Sequence, residues 1–328
     1  MLNLPPPPRY FPPQKGVYEV APGLSALGKD FGNGEQDKKF LALDSDFGIY
    51  RENKIRCRKE NFSKYVCKKD FPLATEQAVC AWLIERLCAD YPDLFSVRVS
   101  RTDKDLFVLS CASTQEEITF DQSYNLVSTN SKIDPPYADL FDALCSNFPA
   151  DLSVVTKNES KNWVSALHLC APSHWAAADK IGRDFTEVHL PVPGIEKVNK
   201  AAGSLVDAMI LRGPYIRFAW SMVTDRRLNH HPLPPPNISS EEWNGRIFDP
   251  AKASPFYLRV ERQTLWGLPQ VQSALFGIHV LFVDGAEIKA NPEKNTLLKS
   301  ALQSMTPESR KYKGVAHYFD GLISWLEA

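Results

Sequence analysis

Apolar positions recur at helical spacing through ATEQAVCAWLIERLCADYP, residues 74 to 92, where Val79, Trp82, Leu83 and Leu87 fall on one face. Pro92 marks the stop. YADLFDALCSNF, residues 137 to 148, predicts a second helix. From about residue 150 the texture changes. ADLSVV (150–155) and WVSALHLC (163–170) read as strands joined by the polar turn TKNESKN. APSHWAAADKIG reads as a short helical turn, VHLPVPG as a stretch stiffened by prolines, and IEKVNKAAGSLVDAMILR as an amphipathic helix. In YIRFAWSMV (215–223) the period is two: Ile216, Phe218, Trp220 and Met222 share one face, with Arg217, Ala219 and Ser221 on the other. After the Pro-rich loop HHPLPPPNISSEEWNG come two more strands, FYLRVERQT and SALFGIHVLFV, linked through WGLP. NTLLKSALQSM and GVAHYFDGLISWLEA predict C-terminal helices.

This order predicts an α+β fold, an antiparallel β-sheet of about five strands with flanking helices and an N-terminal extension. No long polar linker divides the chain and no internal repeat is visible, so we expect one domain over residues 1–328. Within it we expect an extended arm and irregular region (1–73), a helical part (74–149), a sheet core (150–285) and C-terminal helices (286–328). Residues 1 to 35 are rich in Pro and Gly, and PPPP at 5 to 8 favours a semi-rigid arm.

Composition narrows the function. Hydrophobic content of 44% and charged content of 23% over 328 residues are ordinary for a soluble globular protein with a substantial core. A formal net charge of -1 offers no basic excess for a phosphate backbone, so we expect no nucleic-acid partner. The longest clean apolar run, SALFGIHVLFV at 273 to 283, is too short to span a bilayer as a helix, so we expect no membrane partner. MLNLPPPPRYFPP lacks the apolar and basic pattern of a secretory signal, and the seven cysteines form no CxxC pair. Both point to reduced thiols in the cytoplasm and away from a cysteine-ligated cluster or structural zinc. The matches to the glycosylation pattern at Asn61, Asn158 and Asn237 are then chance.

Three constellations carry candidate chemistry. His189 sits in VHLPVPG, where Pro191 and Pro193 hold the backbone rigidly. A neutral imidazole so fixed suits a metal or haem iron; the ordinary alternative is a core or loop histidine bonded to a carbonyl. FYLRVERQTL places Arg259, Glu261 and Gln263 on one face of a strand and Val260, Arg262 and Thr264 on the other. Three charges within otherwise apolar surroundings fit a polar pocket if the strand is central, and a solvated charge ladder if it is an edge. Arg217 projects opposite Phe218 and Trp220, toward a pocket or toward solvent. Other patterns fail. DFGNGEQD has no preceding strand and no full GxGxxG. No GxSxG, HExxH or P-loop occurs, and DFGIY lacks the other kinase elements. Ser173 beside His174 is no triad, and His230 and His231 lie in a Pro-rich loop.

PSHW, GRDFTEVHLPVPG, YIRFAW, LRVERQTL-x-x-LP and SRKYKGVAHYFDGLISWL follow in an order that resembles the haem-dependent oxidative N-demethylase alpha-subunit family over nearly the whole chain. KGVYEVAPGLSALG and FLALDSDFGIYRENKIR resemble that family's opening. The resemblance implies a PAS-like haem-binding sheet and oxygen-dependent removal of a methyl group from a small amine. Haem b would be the cofactor, with NADPH electrons arriving through the FMN and 2Fe-2S centres of a separate reductase. It implies His189 as the axial haem-iron ligand, with Val192, Pro193 and Trp220 against the macrocycle. Arg217, Arg259, Glu261 and Arg262 would then serve the opposite side: an acid attracting a cationic amine or anchoring an arginine, and arginines holding a propionate or polarising dioxygen. The chain departs from the family pattern at Ala219, where Asn is common, and at His174, where Arg is common. The resemblance therefore leaves the amine open: a larger amine or biosynthetic intermediate is as compatible as dimethylamine. A haem-binding gas or redox sensor without catalysis, and a cofactor-free interaction protein, are the alternative readings.

Overall fold

The computed structural model describes residues 4–101, 103–244 and 247–328. The N-terminal segment leads through β1 (Ser25–Ala26) to α1 (Phe47–Tyr65), β2 (Val66–Lys68) and α2 (Leu73–Asp90). A small antiparallel sheet follows: β3 (Phe95–Val99), β4 (Leu106–Cys111), β5 (Glu116–Asp121) and β6 (Leu126–Thr129). Next come α3 (Leu140–Cys145), β7 (Asp151–Lys157) and β8 (Asn162–His168). The connection to β9 (Tyr215–Val223) carries α4 (Phe185–His189), α5 (Glu196–Lys200) and α6 (Ala202–Leu211). After α7 (Ser240–Asn244) come the long strands β10 (Tyr257–Leu268) and β11 (Ser273–Asp284). The chain ends in α8 (Gly285–Ala290), α9 (Pro292–Gln303), α10 (Pro307–Tyr312) and α11 (Phe319–Glu327).

The fold is α+β, and its main sheet has seven antiparallel strands in the order β1-β9-β10-β11-β7-β8-β2. Five of them are the strands expected from the sequence; the short edge strands β1 and β2 complete the sheet. Two parts of the expected division are corrected. The stretch 74–149 is not helical throughout, because β3 to β6 lie between α2 and α3. The region 1–73 is not irregular, because α1 fills 19 residues of it. That helix has no apolar stripe to read: it buries Asn53, Lys54 and Arg58. Lys54 donates to the carbonyls of Cys145 (2.6 Å), Phe148 (2.8 Å) and Ala150 (2.6 Å). Arg58 pairs with Asp142 at 2.7 Å, both fully buried. The Pro-rich loop after β9 contains α7; its last residue, Gly245, lies outside the described residues. No described helix is long and apolar enough to cross a membrane.

The two faces of the main sheet do different work. One face, carrying Val260, Leu258 and Met222, packs on the C-terminal helices through Leu298, Leu302, Phe319 and Leu322. Leu152, Val154 and Leu275 join a core with α2, α3 and the small sheet. The other face is roofed by the helices of the β8–β9 connection. That roof lies very close at one point. A Cβ on Gly267 of β10 would fall 2.0 Å from the Ile210 carbonyl oxygen at the end of α6 and 2.9 Å from that of Met209. Only glycine lets the helix backbone rest there. Gly267→Ala is expected to cost roughly 3 kcal/mol or more in urea unfolding, because backbone rather than a flexible side chain must move.

Candidate functional site

Between this sheet face and its roof lies a cavity of about 800 Å³. Strand registry builds its floor. Arg217 lies opposite Gln263, Ala219 opposite Glu261 and Leu265 opposite Phe276, which in turn pairs with Ser153. All of them line the cavity, with Val155, Val164 and Leu167 further along. The roof contributes Phe185, His189, Ile195, Val198, Leu205 and Met209. Two further walls come from distant chain segments: Tyr18 to Leu24 of the N-terminal arm, and Tyr312 with Lys313. The arm is fixed there by the Tyr18 amide, which donates to Ser304 Oγ at 2.8 Å, and by β1 pairing with β9.

His189 is placed by local chemistry. Asp184 and Glu187 form a capping box, each side chain accepting from the other's backbone N–H (2.8 and 3.0 Å), and this starts α4. The Phe185 amide donates to Asn162 Oδ1 at 2.9 Å, tying the helix to β8. His189 then closes the helix, so the helix as well as the following Pro191 and Pro193 sets its place. Its Nδ1 lies 2.6 Å from the Phe185 carbonyl oxygen, and its ring rests on that of Phe185 at 4.3 Å. A carbonyl only accepts, so Nδ1 carries the proton and the lone pair belongs to Nε2. Burial, with the nearby cations Arg217 and Lys180, lowers the pKa of His189 and keeps the ring neutral. Val192 lines the cavity just beyond, its amide bonded to the His189 carbonyl at 2.9 Å; Pro193 is not on the wall.

The floor charges separate by face. Glu261 is engaged at both oxygens: Arg259 donates to one, and Gln263 Nε2 to the other at 2.9 Å. Arg259 is fully buried and donates its second Nη to the Ala171 carbonyl at 2.6 Å. Glu261 therefore anchors an arginine, one of its two expected roles. Arg217 lines the cavity, and its Nε is buried without a hydrogen-bond partner among the described residues. Lys313, absent from the sequence reading, has its amino group on the Trp220 carbonyl at 2.8 Å. Burial pulls its pKa down to about 8, against the pull of Glu261 and with the push of Arg217 and Arg259. Its YKG context carries no helical or strand period that points inward. Only the return of the chain after α10 brings it to β9.

Two expected site residues belong elsewhere. Trp220 touches the cavity rim, but its ring projects to the opposite sheet face, edge-on to Tyr18 at 5.7 Å. Arg262 points wholly away from the cavity, because its neighbours in β10 on either side face it. It is fully buried, and it donates to Tyr10 Oη (3.2 Å) and to the carbonyls of Phe40 (3.2 Å), Gln36 (3.2 Å) and Lys39 (2.5 Å). It clamps the N-terminal segment to the sheet. Arg262→Met is expected to lower stability by about 3 kcal/mol in urea unfolding, since it leaves several buried acceptors unmatched. Ligand binding per folded molecule should not change.

The residues present fit a haem. The cavity is large and mostly apolar, a half-buried neutral histidine offers Nε2 from its wall, and a guanidinium whose Nε is buried without a partner lies on its floor. A family model described as haem-dependent oxidative N-demethylase, alpha subunit-like, matches residues 33–323. That span takes in the arm's Arg262-bound segment, every strand of the main sheet except β1, the roof helices and Lys313, so the chain belongs to the haem-dependent oxidative N-demethylase, alpha subunit-like family.

Proposed function

We propose that this chain is the haem-binding oxygenase component of an amine N-demethylase, with a PAS-like sheet as its scaffold. The observation that supports this most directly is His189: Nδ1–H is fixed on Phe185 within its own helix, and Nε2 is left as the ligating nitrogen of a residue on the cavity wall. Bound haem b would supply dioxygen binding and the oxidation of an N-methyl C–H bond. The overall change balances as methylamine group plus O2, two electrons and two protons giving the demethylated amine, formaldehyde and water. The electrons would come from NADPH through the FMN and 2Fe-2S centres of a separate reductase, consistent with the absence of a dinucleotide fingerprint and of paired CxxC cysteines from the sequence. A reduced cytoplasmic setting suits the seven free cysteines.

The chain's own residues take the remaining roles. His189 holds the iron, and its hydrogen bond to Phe185 fixes the ring's direction and raises its basicity as a ligand. Val155, Val164, Leu167, Leu205 and Met209 exclude water and give the macrocycle apolar walls. Tyr18 and Tyr312 stay neutral hydroxyls at neutral pH, because burial raises both, Tyr18 to about 12. They supply donors at the wall without adding charge. The Arg259–Glu261–Gln263 set fixes the floor in one geometry. The Arg217 guanidinium is a permanent cation there.

Wild-type protein reconstituted with haem should show a Soret band, and His189→Ala should shift or lose it while retaining its thermal unfolding temperature within a few degrees. With a surrogate reductase, a panel of N-methyl amines should yield formaldehyde in proportion to amine consumed, falling at least about 100-fold in His189→Ala. Wild-type protein that stays colourless after haem titration overturns the reading. A Soret band with reversible gas binding and no formaldehyde from any amine replaces the enzyme by a sensor.

A further inference from the structure

The floor of the cavity carries more positive charge than the protein neutralises. Arg217 and Lys313 line it, Arg259 pairs with Glu261 beside them, and the lining acids at this end are Glu261 and the arm's Glu19, which Lys15 holds at 3.4 Å. Glu261 is spoken for. Arg259 holds one oxygen and Gln263 the other; Arg259 gives its second Nη to the Ala171 carbonyl and keeps only its Nε without a partner among the described residues. That leaves two cations. Arg217 is half-buried and lines the cavity, and its Nε is buried without a hydrogen-bond partner among the described residues. Lys313 has three N–H donors and one protein acceptor, the Trp220 carbonyl. At the other end of the cavity the balance is even, with Asp179 and Glu187 beside Lys180 and Arg183. Lys180 there has, like Lys313, one carbonyl acceptor, that of Val188, but it also has Asp179 beside it. The surplus is local to the Arg217 end.

A guanidinium nitrogen buried without an acceptor is costly to the folded protein unless a ligand supplies one. We propose that Arg217 and Lys313 form a carboxylate-binding subsite in the floor of the cavity, taking an acid group carried by the cavity's ligand. The guanidinium offers a planar fork that matches two carboxylate oxygens, and the ammonium is a point charge beside it. Two sources can bring such a group: a propionate of haem, or the carboxylate of an N-methyl amino acid serving as the amine substrate. A simple dialkylamine, cationic in water, supplies neither the charge nor the acceptor that this floor lacks. Which of the two sources fills the subsite rests on the function proposed above; the need for an acid does not.

The test uses the full-length protein in two arms, with and without haem. In the haem-free arm, calorimetric titration compares N-methylglycine, N-methylleucine and N-methylphenylalanine with their amides. In the haem arm, Soret titration compares haem with its dimethyl ester. The acid form should bind roughly tenfold tighter or more than its amide or ester counterpart, which lacks the carboxylate, in at least one arm. That preference should be lost in Arg217→Gln, weakened in Lys313→Met and partly restored in Arg217→Lys. It should also fall as pH rises through about 8, where Lys313 loses its proton, and this fall should be absent from Lys313→Met. Preference in the haem-free arm alone assigns the subsite to substrate, and preference in the haem arm alone assigns it to a propionate. Equal binding of the acid and its amide or ester by the wild type in both arms overturns the proposal. The haem-free arm reads out even if the protein takes up no haem, so failure here and failure of the haem reading are distinguishable.

Discussion

Burying charge on a central strand is the constraint around which this molecule is arranged. β10 runs between β9 and β11, with apolar neighbours on both sides, yet it holds Arg259, Glu261 and Arg262 in four positions. Strand geometry sends successive side chains to opposite faces, so the three charges cannot satisfy one another. Arg259 and Glu261 pair on the cavity face, while Arg262 must find acceptors on the other. It finds them in the main chain of residues 36 to 40, with Thr264 donating to the same Phe40 carbonyl at 3.1 Å. A one-residue slip of β10 would bring every one of these groups to the wrong side, so the charges specify register more sharply than an apolar strand would.

The N-terminal segment is bound to the site through the same requirement. Gln36 to Phe40 cap Arg262 behind the sheet, while Tyr18 to Leu24 form part of the cavity wall in front of it. The segment therefore wraps the free edge of β9, where Ser25 and Ala26 pair with Ile216 and Tyr215. An exposed edge strand is covered, a buried guanidinium is satisfied and a wall is supplied by one run of chain. The α1 helix repeats the logic at the far side of the sheet. Its Lys54 and Arg58 are buried and held by main-chain carbonyls and Asp142. The rigid parts of this fold are thus joined by cations placed on carbonyl groups, with apolar packing around them.

The legible and illegible parts of the sequence divide along physical lines. β9 was legible from period two in Ile216, Phe218, Trp220 and Met222, and β7, β8, β10 and β11 from apolar and β-branched runs, because both of their faces are largely buried. The split of Arg259, Glu261 and Gln263 from Arg262 followed from the same rule, but the destination of Arg262 did not, since its acceptors are backbone atoms more than 200 residues away. The α1 helix was hidden because its inward face is polar, and β3 to β6 because their pattern is short and interrupted by turns. His189 was singled out from VHLPVPG, although what orients it is the Asp184–Glu187 capping box and the Phe185 carbonyl upstream. Lys313 left no local mark at all: its role depends on which strand the chain meets after α10.

The electrostatics of the cavity tie the ligating histidine to the floor. Burial first, then Arg217 and Lys180, lower the pKa of His189, and the Nε of Arg217 is itself without an acceptor, so one cation bears on both ends of the cavity. It adds to the burial that favours the neutral imidazole, and it favours a ligand that brings negative charge. A protonated amine entering alone would meet Arg217 and Lys313 with Glu261 already closed by Arg259 and Gln263. At that end it would lose its hydration and gain no counterion; the carboxylates left to it are Glu19, Asp179 and Glu187 elsewhere on the wall. An amine whose own carboxylate accompanies it, or a cofactor whose propionate is already seated there, removes that repulsion. If the proposed function holds, the charge of the floor would thus disfavour the simplest amines at this end of the cavity.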